Sequence, residues 1–74
     1  MAESDPADVR AILTFIRDHP GVPYYEVERE FHHIYGRIPT VLGYLCEMKF
    51  IAYHVGPVND ADKGIINVLR LYPR

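Results

Sequence analysis

The chain has 74 residues, and 49% of them are hydrophobic, so its composition excludes a disordered chain and its length allows one compact domain. Eight basic and ten acidic side chains give a formal net charge of −2, which is not the strongly basic balance of a nonspecific nucleic-acid binder. The single cysteine, Cys46, can form neither an internal disulfide nor a multi-cysteine zinc site, and it favours a reducing, cytoplasmic setting. Met1 to Asp5 lacks the pattern of a secretion signal, so we expect a soluble intracellular protein.

The first predicted helix begins near Pro6, which suits a first helical turn, and Ser4 or Asp5 can cap its N-terminus. Its apolar residues recur at spacings of three and four, which is the pattern of an amphipathic helix facing a core: Val9, Ile12, Leu13 and Ile16. His19-Pro20-Gly21 ends the helix, because proline removes a backbone donor and glycine permits a turn.

Two more helices are predicted after the short extended link Val22-Pro23. Helix two runs from Pro23 or Tyr24 to about His33, and Ile34-Tyr35-Gly36-Arg37 forms a tight turn in which Gly36 can adopt positive φ. Helix three runs from about Ile38 to Lys49. Its predicted buried face consists of apolar residues at helical spacing: Ile38, Val41, Leu42, Leu45 and Met48.

The period of the pattern changes from helix to strand after Phe50. Ile51, Tyr53 and Val55 alternate with smaller or polar residues, which predicts a strand. Gly56 to Gly64 is predicted to be a polar loop, and Ile65 to Tyr72 a final strand with two fairly apolar faces. The sequence therefore predicts an α+β domain with three helices and a C-terminal β-hairpin.

This order of elements resembles the winged helix-turn-helix superfamily over about residues 7–72, so we expect residues 1–74 to form a single domain of that kind. The segment "GVPYYEVEREF" (Gly21 to Phe31) is similar to the second helix of the superfamily and its lead-in. The segment "YGRIPTVLGYL" (Tyr35 to Leu45) resembles the turn and recognition helix, and "MKFIAYHV" (Met48 to Val55) resembles the exit into the first wing strand. The resemblance implies a three-helix core with a hairpin wing.

The resemblance also implies a DNA-binding transcriptional regulator, with helix three in the major groove of double-stranded DNA and a homodimer as the working unit. Residues 34–74 carry five basic and three acidic side chains, whereas residues 1–33 carry three basic and seven acidic ones, so the positive half holds the recognition helix and the wing. The candidate DNA contacts are basic or hydroxyl-bearing side chains on helices two and three and on the wing: Arg37, Thr40, Tyr44, Tyr24, Tyr25, Lys49 and Lys63.

The alternative is a winged-helix adaptor that binds protein and not DNA. The outer face of helix three is expected to present Arg37, Thr40, Gly43, Tyr44 and Glu47, and only Arg37 among them is strongly positive. Asp60 and Asp62 flank Lys63 and would repel phosphate. The glycine that commonly ends the recognition helix is also missing at Lys49-Phe50-Ile51. An aromatic outer face suits a protein partner, because tyrosine offers a large contact area with a polar tip.

Neither catalysis nor metal binding is predicted. The sequence has no glycine-rich phosphate loop and no nucleophile elbow, and its only serine is Ser4. The adjacent pair His32 and His33 would point to different sides of a helix, so the four histidines do not form an ordered zinc motif. We expect Cys46 to be a small hydrophobic core residue. The prediction is therefore a non-enzyme without cofactor or metal.

Overall fold

The structure is a computed structural model that describes residues 6–74, so the predicted cap at Ser4 or Asp5 lies outside the described residues. The elements in chain order are α1 (Pro6–Asp18), β1 (Val22–Pro23), α2 (Tyr24–Glu30), a 3-10 helix (His32–Arg37), α3 (Ile38–Glu47), β2 (Ile51–Asp60) and β3 (Gly64–Pro73). The three strands form an antiparallel sheet in the order β1-β3-β2. The predicted α+β class, with three helices and a C-terminal hairpin, is confirmed.

The core lies where the helices meet the part of the sheet next to β1. Ile12 and Ile16 of α1 are fully buried, as their spacing predicts. The other buried core residues come from every remaining element: Val22, Val27, Ile34, Ile38, Val41, Leu42, Leu45, Ile51 and Leu71. Because Val22 pairs with Leu71 and Tyr53 pairs with Leu71 from the other side, the middle of β3 joins the sheet to the helices.

The segment between α2 and α3 differs from its prediction. Helix two ends at Glu30 instead of His33, and the chain continues as a 3-10 helix that is kinked at the buried Ile34. The Ile34 N–H donates to the Phe31 carbonyl at 2.9 Å, which is the tighter bonding pattern of a 3-10 helix. The prediction of positive φ at Gly36 is wrong, because this helix runs straight into α3 and needs no left-handed residue there.

The end of α3 explains the missing glycine. Helix three ends at Glu47, and Lys49 adopts the left-handed φ of 65° that glycine usually supplies after a helix. The Lys49 N–H donates to the Cys46 carbonyl at 3.0 Å, and the Phe50 N–H donates to the Leu45 carbonyl at 2.9 Å. These two bonds form a Schellman motif, which satisfies the last carbonyl groups of the helix.

Met48 is 51% exposed, so its predicted place on the buried face of helix three is wrong. It is the capping residue at which the helix stops, with φ −81° and ψ 0°. The stripe of buried side chains therefore ends one turn earlier, at Leu45.

Replacing Lys49 with glycine is expected to stabilise the fold. A left-handed residue with a Cβ costs about 1–2 kcal/mol, and the greater freedom of glycine in the unfolded chain offsets part of the gain. The net increase in the free energy of unfolding should be about 1 kcal/mol, measured by urea denaturation. A Lys49→Ala variant is the matched control, because it removes the charge but keeps the Cβ. Equal stability of the two variants would contradict the conformational explanation.

The hairpin is longer than predicted. Residues 56–60, expected in a loop, continue β2, and their pairing with β3 runs from Gly56 opposite Val68 to Asp60 opposite Gly64. Pro57 is tolerated inside the strand because β2 is an edge strand, where a missing N–H need not break the ladder. The hairpin extends from the helices and contributes to the elongated dimensions of 41 × 25 × 20 Å.

A three-residue turn at residues 61–63 closes this hairpin. Asp60 Oδ1 accepts hydrogen bonds from the N–H groups of Asp62 at 2.8 Å and Lys63 at 3.0 Å. These bonds stabilise the charged carboxylate and hold the pKa of Asp60 below its ordinary value. Gly64 follows with a φ of 80°, a conformation that glycine adopts without strain.

Candidate interaction surface of helices α1 and α3

The outer face of α3 is exposed as the sequence predicts. Of the predicted residues, Thr40, Gly43, Tyr44 and Glu47 lie on α3 together with Pro39 and are solvent-exposed, whereas Arg37, which is also exposed, precedes the helix. The face contains no basic side chain, and its one charged group is a carboxylate. It is therefore neutral to weakly acidic and carries one large aromatic ring, that of Tyr44.

Arg37 lies at the N-terminal boundary of α3 and faces α1. Its Nη2 atom is 3.2 Å from Oδ2 of Asp8, so the two side chains form an ion pair between the start of α3 and the first turns of α1. Half of the Arg37 side chain remains exposed, and such a surface pair contributes little stability, about 0–1 kcal/mol. The pair nevertheless partly neutralises the one strong cation that the sequence predicted on the outer face of helix three.

The two tyrosines of α2 differ in their surroundings. Tyr24 is half-buried and packs against the core, and burial raises the pKa of its hydroxyl, with smaller contributions from Glu28 and Tyr35. Tyr25 is exposed. Neither tyrosine lines the groove between α1 and α3 that Thr40 and Tyr44 border. The structure therefore separates these two candidates from the middle of α3.

The two candidate lysines lie at opposite ends of β2. Lys49 is exposed immediately after α3. Lys63 is in the hairpin turn, where Asp60 and Asp62 surround it and two carboxylates outweigh one ammonium group. The charge of the turn therefore opposes phosphate contact, as the sequence indicates.

A groove between α1 and α3 borders the outer face of α3. One side of α1 lines it, together with Thr40, Tyr44 and Leu45 of α3 and Phe50, which follows α3. The α1 residues are Pro6, Val9, Arg10, Leu13, Thr14 and Arg17. Sequence reasoning missed the two arginines and Phe50. The signal was present, because Arg10 and Arg17 are seven residues apart and therefore share a helical face with Leu13 and Thr14.

The groove is basic although the whole chain is acidic. Among the described residues that line it, Arg10 and Arg17 are the charged ones and none is acidic. Within residues 6–74, the ion pairs are Arg29–Glu26 and Arg37–Asp8, so neither groove arginine has an ion-pair partner there. Two free guanidinium groups above an apolar floor give the groove a positive rim.

The other reactive side chains do not form a site within the described residues. Cys46 is half-buried against the core, and burial raises the pKa of its thiol. His32 and His33 are both exposed at the start of the 3-10 helix, and residues 6–74 contain no group of three metal-ligating side chains. Among the same residues, no helix is long and apolar enough to cross a membrane.

The chain matches no protein-family model, no curated protein and no solved structure. A proposed function therefore rests on the chemistry of the α1 and α3 surface.

Proposed function

We propose that this chain is a winged-helix domain without catalytic activity that binds another protein through the outer face of α3 and the adjoining groove. The observation that carries the proposal is the composition of that face: Pro39, Thr40, Gly43, Tyr44 and Glu47, exposed and without a basic side chain. Three α-helices followed by a β-hairpin support the winged-helix assignment, since the resemblance implies this order.

Charge is the first reason to favour protein over DNA. Affinity for duplex DNA comes largely from neutralising phosphates with lysine and arginine, and base contacts then add specificity. A recognition helix placed in the major groove would here bring the Glu47 carboxylate towards the phosphates and offer no cation from its exposed face. Arg37 is already paired with Asp8.

The shape of the surface is the second reason. Tyr44 is 46% exposed and Phe50 is 40% exposed, and both line the groove. Aromatic side chains are enriched at protein interfaces because they bury a large area with few rotatable bonds. Gly43 precedes Tyr44 on the exposed side of α3, and within the described residues no neighbouring side chain lies within 4 Å of the position of an added Cβ. No contact within the described chain requires glycine there, but close approach of a partner would.

DNA binding is the second candidate, and Arg10 and Arg17 favour it. These two arginines, which have no ion-pair partner within residues 6–74, lie beside Thr40 and Tyr44 and could neutralise phosphates next to a helix in the major groove. A homodimer would double that small cationic footprint. The exposed Tyr53, Val55 and Ile65, which lie on one face of the hairpin, would supply its interface.

Fluorescence anisotropy with random-sequence duplex DNA over a salt series separates the two candidates, with the mass of the protein measured by light scattering in parallel. We expect a monomer that shows no salt-dependent binding even at low salt. The positive control is the double variant Thr40→Arg, Glu47→Lys, which adds cations to the same helix face and should acquire weak, salt-sensitive binding. Binding by the unmodified chain that weakens steeply with salt and is lost in Arg37→Ala or in the double variant Arg10→Gln, Arg17→Gln would overturn the proposal.

A second measurement examines protein binding directly. A photocrosslinking amino acid in place of Tyr44 should give a discrete protein adduct in an extract of the source cells. The same amino acid in place of Ile65, which is 76% exposed but far along the hairpin, is the control for random collision. Identical adducts from both positions would contradict a partner seated on α3.

A further inference from the structure

We propose that the partner segment bound in the α1–α3 groove is an acidic amphipathic helix of another protein. This inference rests on the proposed protein-binding function and specifies its ligand. It follows from three features of the groove: its charge, the spacing of that charge along α1, and the apolar surface between the charges.

The charge selects an acidic ligand. Within residues 6–74 the groove carries the guanidinium groups of Arg10 and Arg17 and no carboxylate, so this part of its rim is positive on a chain whose net charge is −2. Arginine binds carboxylates through two parallel hydrogen bonds, which makes it the better cation for recognising acidic side chains. Neither arginine is engaged by another residue of the described chain in an ion pair. Both are therefore available to a ligand.

The spacing selects a helix. Arg10 and Arg17 are seven residues apart on α1, which places them on one face and about 10.5 Å apart along the axis. A ligand helix lying along α1 repeats its own positions at the same interval. Two carboxylates seven residues apart on that helix would therefore meet both guanidinium groups at once. An extended strand covers the same distance in about three residues. Side chains three residues apart on a strand point to opposite faces, so two such carboxylates could not both meet the arginines.

The apolar lining of the groove indicates which residues the ligand helix carries between its two carboxylates. Leu13 lies midway between the two arginines on α1, and Tyr44 and Phe50 line the same groove. Apolar side chains three and four positions after the first carboxylate of the ligand point to the same side as both carboxylates. They would cover the exposed parts of these three residues. The expected ligand pattern is thus an acidic residue, two apolar residues at the third and fourth following positions, and an acidic residue at the seventh.

The structure argues against a second copy of this chain as the occupant. Within residues 6–74, the acidic helix that the chain could offer is α2, with Glu26, Glu28 and Glu30. Its apolar Val27 is fully buried in the core, and Glu26 is paired with Arg29. Helix α2 therefore cannot present acidic and apolar side chains on one exposed face unless it separates from the core of the domain.

The test is a selection from a displayed library of helices about 14 residues long, four turns, with one face randomised. The full 74-residue chain is the bait, and the affinities of selected peptides are then measured by fluorescence anisotropy. The variant Arg10→Glu, Arg17→Glu reverses the rim charge, and Arg10→Gln, Arg17→Gln removes it. Lys63→Glu is the control for a charge reversal outside the groove. Circular dichroism checks that each variant keeps its fold.

We expect selected peptides to carry two acidic residues seven apart with apolar residues between them. Their binding should weaken at least about tenfold in both arginine double variants and stay unchanged in Lys63→Glu. Peptides that bind the groove with no acidic preference would overturn this inference and leave the protein-binding function standing. The absence of any binding helix would also overturn it. The DNA titration then decides the function separately, so the two failures are distinguishable.

Discussion

Replacing Leu71 with alanine is expected to reduce the free energy of unfolding by about 2–5 kcal/mol. Leu71 is 1% exposed, lies in the central strand β3 between Val22 and Tyr53, and belongs to the core cluster shared by the helices and the sheet. A domain of this length has a total stability of about 4–11 kcal/mol. The variant should therefore lose a large part of its stability, which urea denaturation and a fall in Tm of at least about 10 °C would show.

Ile65→Ala is the matched control on the same strand. Ile65 is on the same face of β3 as Leu71 but beyond the helices, where its side chain is exposed. Its removal should change stability by no more than about 0.5 kcal/mol. A large loss at Ile65 would mean that the distal hairpin packs against something the monomer does not contain, and it would favour a dimer through that face.

Gly21→Ala is expected to destabilise the domain by about 1–2 kcal/mol or more. Gly21 has a φ of 84°, which a residue with a Cβ adopts with strain, and an added Cβ would be 3.3 Å from Cε2 of Tyr72. The residue also fixes the start of β1 to β3. Its N–H donates to the Leu71 carbonyl at 2.8 Å, and its carbonyl accepts a hydrogen bond from the Arg70 guanidinium at 2.9 Å. Thermal denaturation followed by circular dichroism measures the loss.

The same change at Gly43 should have the opposite sign. Gly43 is helical, exposed and without neighbours at the position of an added Cβ, so alanine should stabilise α3 by about 0.5–1 kcal/mol. If a partner approaches this face closely, Gly43→Ala also weakens the crosslink at position 44 while raising Tm. A less stable Gly43→Ala variant, or a Gly21→Ala variant as stable as the unmodified chain, would contradict this explanation of the two glycines by their backbone conformations.

Local patterns in the sequence were sufficient for much of this fold. The spacing of Ile12 and Ile16 predicted a buried stripe on α1, and the alternation after Phe50 predicted the hairpin, because these periods follow from helix and strand geometry alone. The exposed positions of Thr40, Gly43 and Tyr44 on α3 followed in the same way. Each of these predictions needed only the periodicity of one element.

The errors fall where distant residues compete with local preference. Gly56 to Gly64 has the composition of a loop, but pairing with β3 extends the strand to Asp60 because each cross-strand partner stabilises the next. The glycine expected after α3 was absent, and Lys49 takes its conformation because the burial of Ile51 in the core fixes where the chain must turn. Gly36, which has the flexibility for a turn, is not used for one.

The sequence by itself determined the class of fold, the amphipathic helices and the weakly charged outer face of α3, since each depends on residues close together in the chain. Only the tertiary structure decided the character of the candidate site. It paired Arg37 with Asp8, and it placed Arg10 and Arg17 of α1 beside Tyr44 of α3 and Phe50. These residues are more than 25 positions apart in sequence, and their meeting depends on how α1 and α3 pack over a shared core. No local period encodes that packing, so the basic groove became visible only in the folded chain.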